Sequence, residues 1–225
     1  MSYTTYLFDF DYTLADSSCG IILCFRNVLQ RHNYTDVTDD TIKRTIGKTL
    51  EESFSILTGI IDTEQLAALR KEYSKESDQY MNINTHLFDD TLPTLLKLKE
   101  EGNRIGIIST KYRFRIQDFM KKQLPEEWFD IIVGGEDVSY PKPNPEGLLF
   151  AMKKLNVTPE ETMYIGDSTV DAETAQAAGV SFTGITSGVT RSEELAQYPH
   201  VKIISNLREL TDLPKTLFSS GIHDR

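Results

Sequence analysis

Tyr6-Leu7-Phe8-Asp9-Phe10-Asp11-Tyr12-Thr13-Leu14 is an apolar run of strand length that ends in two aspartates. Alternate residues of an extended chain point the same way. Asp9 and Asp11 therefore project on one side, where the strand gives way to a loop. Two like charges that close repel each other, which makes the pair a poor structural device. It becomes useful if a divalent cation sits between the carboxylates, or if one acts as nucleophile and the other as proton donor. What the rest of the chain brings to the same place decides its meaning.

Working outward, the chain shows two textures. Residues 18–32 read as a helix, with Ile21, Ile22, Phe25, Val28 and Leu29 on one face. A short helical segment over 39–46 ends at Gly47, and Thr49 with Glu52 forms a capping box for a helix near 50–57. Residues 63–80 continue helical, so the stretch from 17 to about 83 holds helix without a strand. After residue 90 helices alternate with strands. A helix over 90–101 stops at Gly102. Strands are expected at 104–109, 130–133, 162–166, 180–185 and 201–204. Helices are expected at 112–123, 145–155 and 169–178, with shorter ones near 192–196 and 207–211. This alternation implies a parallel sheet with helices on both faces, and the first strand must join it. The expected layout is an α/β core from residues 1–16 and 86–225, interrupted by an all-helical cap over 17–85. Asp16 and Ser17 read as the first hinge, with Ser17 or Ser18 capping the next helix, and the return hinge falls near 82–88. The tail Phe218–Arg225 is expected to fray.

At 225 residues, with 39% hydrophobic and 26% charged side chains, the composition is that of a soluble globular protein. No apolar run approaches the roughly 20 residues needed to cross a bilayer. The N-terminus lacks a basic region followed by an apolar stretch, so a cytoplasmic location is expected. A net charge of −10 argues against nucleic acid or an anionic membrane as partner. An anionic substrate would need a metal or a local cluster of cations. Cys19 and Cys24 lie five apart in one expected helix, which suits neither a disulfide nor a zinc site, and they read as small packing residues. His32, His86, His200 and His223 are scattered without metal-ligand spacing and read as surface or loop residues.

In open parallel sheets ligands bind outside the carboxyl ends of the strands. There the first strand delivers Asp9 and Asp11, and the strand at 104–109 delivers Ser109 and Thr110. The loop Tyr140-Pro141-Lys142-Pro143-Asn144-Pro145 adds Lys142, and the strand at 162–166 adds Gly166-Asp167-Ser168, with Asp171 shortly after. Four separate segments bring carboxylates, a hydroxyl and a lysine to one edge. Alone, Gly166-Asp167-Ser168 reads as a helix cap and Lys142 as a loop lysine; Asp171 and the other segments turn the first toward metal binding, and flanking prolines reduce what is lost on positioning the lysine. Lys111, Arg113 and Arg115 follow in the first turn of a helix, where cations oppose the helix dipole. They fit either a nearby anion or a solvated basic face.

Asp9-Phe10-Asp11-Tyr12-Thr13-Leu14, then Ser109, Lys142 and Gly166-Asp167-Ser168-Thr169-Val170-Asp171, resemble in order and spacing the four motifs of the haloacid dehalogenase superfamily. The helical insertion resembles the cap of its phosphoglycolate phosphatase and β-phosphoglucomutase branch. The resemblance covers nearly the whole chain and implies a Rossmann-like core. It implies that Asp9 is the nucleophile and forms an aspartyl-phosphate, and that Asp11 is the general acid and base. Asp9, Asp167 and the Asp11 carbonyl would hold Mg²⁺, with Asp171 binding a metal water or positioning Lys142. Ser109 and Lys142 would hold the transferring phosphoryl group, aided by Thr110. Ser109-Thr110-Lys111 resembles the Thr-Asn-Lys of phosphoglycolate phosphatases, which makes Lys111 a substrate ligand, and Arg44 and Lys48 near Gly47 would read the leaving group. Tyr12 departs from the pattern, where glycine or asparagine is usual, and is expected to pack against the core. An acid at the position of Asp11 serves phosphate-ester chemistry and is absent from the dehalogenases.

The implied function is a Mg²⁺-dependent phosphatase acting on a small soluble phosphomonoester, as a monomer or homodimer. Phosphoglycolate is the first candidate, with inorganic pyrophosphate behind it. A β-phosphoglucomutase-type transfer is the alternative of a different reaction class. A non-catalytic phospho-ligand binding module would show a substituted nucleophile, acid or metal ligand, and none is seen.

Overall fold

A computed structural model describes residues 3–211 of the chain. The expectation for Phe218–Arg225, and His223 with it, lies outside the described residues. Six strands form one parallel sheet in the order β5-β4-β1-β6-β7-β8. They are β1 (Thr5–Phe8), β4 (Arg104–Ile108), β5 (Ile131–Val133), β6 (Thr162–Gly166), β7 (Ser181–Ile185) and β8 (Lys202–Ile204). The first strand thus sits at the centre, between β4 and β6, where the strand order reverses.

The strands are buried on both faces, with side chains alternating between two apolar clusters. Phe8, Ile105, Ile107, Met163 and Ile165 enter one cluster, while Leu7, Ile108 and Tyr164 enter the other. Helices α5 (Thr91–Glu100) and α6 (Arg113–Met120) supply Leu95, Leu98, Ile116 and Phe119 to the first. Helices α7 (Glu146–Leu155) and α8 (Thr169–Ala178) supply Leu148, Ala151, Ala172 and Ala175 to the second. A short helix α9 (Ser192–Leu195) and a 3₁₀ turn at Leu207–Leu210 complete the alternation.

Two strands were not expected. Ala15–Asp16 (β2) and His86–Leu87 (β3) pair antiparallel, with Ala15 opposite Leu87 and Asp16 opposite His86. Between them lie α1 (Ser18–Arg31), α2 (Asp39–Lys43), α3 (Leu50–Thr58) and α4 (Thr63–Tyr80). Their apolar faces meet in a cluster of their own, built around Phe25, Phe54 and Tyr73, whose rings lie 4.7–6.2 Å apart.

Local chemistry differs from expectation at three points, and at a fourth, the start of α6, it decides between two readings. Asp16 Oδ1, rather than the Ser17 or Ser18 side chain, accepts from the Ser18 N–H at the start of α1, and the Ser17 hydroxyl donates to Asp11 instead. Thr49 accepts from the Glu52 N–H, but Glu52 turns to Lys48 at 2.7 Å, so the capping box is half made. Glu136 accepts from the N–H groups of Arg113 and Phe114, so the protein itself supplies the anion at the start of α6. Cys24 is buried as a packing residue, whereas Cys19 is exposed.

Candidate active site

The carboxyl ends of β1, β4 and β6, with the loop before α7, converge on Asp9. Asp9 is 2% exposed, and its Oδ1 lies 3.0 Å from Lys142 Nζ, a charge contact without hydrogen-bond geometry. Lys142 donates to Asp171 Oδ1 at 2.6 Å and to the Tyr164 hydroxyl at 3.2 Å. Tyr164 in turn donates to Asp171 Oδ1 at 2.9 Å and lies 3.1 Å from the Ile108 carbonyl. The other oxygen of Asp171 accepts from the Ser168 N–H and hydroxyl, at 3.1 and 2.6 Å. Ser168 is also the N-cap of α8, accepting from the Asp171 N–H. Ser168 and Asp171 therefore do the capping, which frees Asp167 from that role.

Asp167 is 5% exposed, and the Thr13 hydroxyl reaches it at 3.5 Å. Gly188 passes so close that a Cβ there would lie 2.1 Å from Asp167 Oδ2. Ligand oxygens of Asp9, Asp167 and Asp171 lie within 4.8 Å of one another. Burial, with Asp171 and Asp11 adding repulsion against the opposing pull of Lys142, pushes the Asp9 carboxyl up to about 6. Burial, then Asp171 and Asp9, hold Asp167 well above the usual carboxylate range. Burial opposes charge on Lys142, but Asp171 and Asp9 outweigh it and hold the ammonium well above the usual lysine range. The site thus carries more buried negative charge than its lysine neutralises. It fits a divalent cation, with Asp9 and Asp167 as the carboxylates left to hold it.

Asp11 sits at the boundary between this edge and a cavity of about 410 Å³ under the helical insertion. Ser109 is buried at the end of β4, and its hydroxyl accepts from the Lys111 N–H at 3.3 Å. Thr110 and Lys48 line the cavity. The Thr110 hydroxyl donates to the Gly47 carbonyl at 3.3 Å, tying the core to the insertion. Gly47 has φ +97° and lies beside Ser168 as well, a backbone state that L side chains rarely adopt.

The structure places Lys111 and Arg44, both expected at the substrate, differently. Lys111 lines the cavity, with its ammonium 2.7 Å from Asp11 and 3.3 Å from the Ser17 hydroxyl. Arg44 is exposed at the end of α2, does not line the cavity, and its charge is felt by Glu194 instead. Tyr164 was missed, since in the sequence it is one apolar position of a strand. Arg70 and Arg115 line the cavity too, and the first of these carried no signal in the sequence. Tyr12 packs as expected, at 6% exposure, and its φ of +60° explains why glycine or asparagine is usual at that position.

Comparison with known proteins matches this picture over most of the chain. A family model described as haloacid dehalogenase-like hydrolase matches residues 6–185. A phosphoglycolate phosphatase of Colwellia psychrerythraea is 34% identical over 199 residues, covering 85% of this chain and 88% of its own. Pyrophosphatase PpaX of Bacillus mycoides is 27% identical, covering 93% and 96%. A crystal structure assigned as a haloacid dehalogenase-like hydrolase, from Bacteroides fragilis, has a TM-score of 0.92 and 68% identity, covering 93% of this chain and 100% of that one. With the central aspartate strand and the sheet order built around it, these matches show that the chain belongs to the haloacid dehalogenase-like hydrolases.

Proposed function

We propose that this chain hydrolyses a phosphomonoester through a covalent intermediate on Asp9. The observation that carries the reading is the buried acid cluster of Asp9, Asp167 and Asp171 around Lys142. The Asp9 carboxylate attacks phosphorus, and the bond to the leaving oxygen breaks as Asp11 gives that oxygen a proton. Water then attacks phosphorus of the aspartyl-phosphate, Asp11 takes the water's proton, and the Asp9 carboxylate is released. Lys142 and Ser109 hold the phosphoryl oxygens as charge redistributes. Asp171, with Tyr164, positions Lys142 and takes no part at phosphorus. A bound divalent cation such as Mg²⁺ would offset repulsion between the attacking carboxylate and the phosphate. Asp9, Asp167 and the Asp11 carbonyl are the groups assigned to hold it. Residues 17–85 act as the cap that shields the intermediate, in a chain that works in the cytoplasm on a small soluble ester.

The relatives' names make phosphoglycolate and pyrophosphate the first substrates to try. Phosphate release would be measured with and without Mg²⁺, beside an Asp9→Asn control. Release that needs the metal and is lost by at least a thousandfold in the variant is expected. No release from any ester by metal-loaded wild type, or full activity in Asp9→Asn, overturns the mechanism. Formation of glucose 6-phosphate from β-glucose 1-phosphate would make the enzyme a mutase.

A further inference from the structure

The cavity beside Asp11 is leaving-group space. Asp9, Ser109 and Lys142, which surround the transferring phosphoryl group on the reading above, do not line it. Its size is set with the insertion seated on the core. Arg70 of α4 donates to the Tyr112 hydroxyl at 3.0 Å, Arg115 of α6 donates to the Ser74 carbonyl at 3.0 Å, and Thr110 donates to Gly47. In this seated state about 410 Å³ remains. At roughly 30 Å³ for each water-sized group, that is room for about a dozen non-hydrogen atoms. Glycolate and orthophosphate, the leaving groups of phosphoglycolate and pyrophosphate, bring about five each and would leave more than half of this space to water.

The walls also speak against a charged leaving group. Four cations line the cavity, and three of them are paired with acids that have no part in the proposed chemistry, the fourth with Asp11. Lys48 lies 2.7 Å from Glu52, Arg70 2.6 Å from Glu51, Lys111 2.7 Å from Asp11 and Arg115 2.7 Å from Asp78. The side chain of Arg115 is only 13% exposed, so freeing it for a carboxylate or phosphate breaks an ion pair that is largely out of water on the cation's side. The rest of the wall is mixed: Ile21, Phe25 and Tyr73 supply apolar and aromatic surface, interspersed with the uncharged polar residues Thr45, Ser53 and Ser74. A pocket of a few hundred Å³ in which aromatic and aliphatic side chains alternate with uncharged polar ones suits an organic body that carries neutral polar groups.

Resting on the phosphomonoesterase reading, we infer that the physiological leaving group is a neutral, ring-bearing alcohol larger than glycolate. The expected preference is a kcat/KM ratio above ten, since filling the cavity adds binding that a small anion cannot use. The test compares benzyl phosphate, 2-phenylethyl phosphate and 3-hydroxybenzyl phosphate, whose alcohols bring about eight or nine non-hydrogen atoms each, with phosphoglycolate and pyrophosphate, all with Mg²⁺. Acetyl phosphate, small and chemically activated, is the control. If acetyl phosphate is hydrolysed and Asp9→Asn abolishes this, the phosphatase reading stands whatever the ratio. A ratio above ten for the best ring-bearing ester then supports the inference, and a ratio of ten or less overturns it. If neither acetyl phosphate nor any ester is hydrolysed, the phosphatase reading fails and the inference falls with it. Leu50→Trp, which puts an indole into the cavity, is expected to lower the ratio at least fivefold. An unchanged ratio in a folded Leu50→Trp protein also overturns the inference.

Discussion

Both oxygens of Asp171 are occupied, one by Lys142 and Tyr164 and the other by Ser168. Replacing it with Asn removes a buried anion beside a buried ammonium and leaves Lys142 only Asp9 as a close charge. Breaking one side of a buried pair costs about 3–5 kcal/mol. Asp171→Asn should therefore lower the urea midpoint clearly below that of wild type, and an unchanged midpoint would show that Lys142 does not depend on it. Residue identity was legible in the sequence where the chemistry is local to a strand end, as for Asp9, Asp11 and Asp167. Partnership was less so. The sequence does not show that pairing β4 with β1 brings the Lys111 ammonium to Asp11 and over the Phe10 ring at 5.3 Å. Tyr164 gains its role only because β6 lies beside the loop carrying Lys142, a neighbour 22 residues away in the chain.

Helix α8 begins at the site, so its cap and the chemistry share atoms. Ser168 accepts from the Asp171 N–H while Asp171 returns a bond to the Ser168 N–H, which satisfies two donors that a helix start leaves open. Ser168→Ala should cost about 1 kcal/mol of stability by chemical denaturation. It should also slow catalysis, because the same hydroxyl steadies the carboxylate that positions Lys142. A loss of stability with kcat unchanged would separate the two roles. The elements themselves were largely legible: β6 and α8 fall where the apolar run and the Ser-Asp start place them, and α1 and α4 follow their periodic faces. The misses are physical. A strand of two residues, such as β2 or β3, has no periodicity to detect, and its partner lies some seventy residues away. Helix α6 ends at Met120, and its expected last turn becomes successive tight turns through Gln123.

Across the whole molecule, the buried acid cluster makes stability depend on pH and metal. Asp9 is raised to about 6 from an ordinary 3.8, so in metal-free protein the native state binds a proton that the unfolded chain has lost between these values. Its contribution is fully present below pH 4 and is lost as pH rises through 6. With EDTA, Asp9→Asn should gain in Tm relative to wild type as pH is raised from 4 to 7. Equal pH profiles for the two proteins would remove Asp9 as the source. Mg²⁺ should raise the wild-type Tm more at pH 8 than at pH 5, because it binds the deprotonated cluster. Among the described residues no helix is long and apolar enough to cross a membrane. The β2–β3 pair has a consequence for how such a molecule can vary. Ala15 opposite Leu87 and Asp16 opposite His86 form the last rungs of a hairpin, and everything between Asp16 and His86 occupies the place of its turn. Closing a longer or shorter loop changes chain entropy only slowly with length. The parallel sheet would therefore keep its register beneath a different insert, and a new lid can be grafted at these two rungs without redesigning the floor.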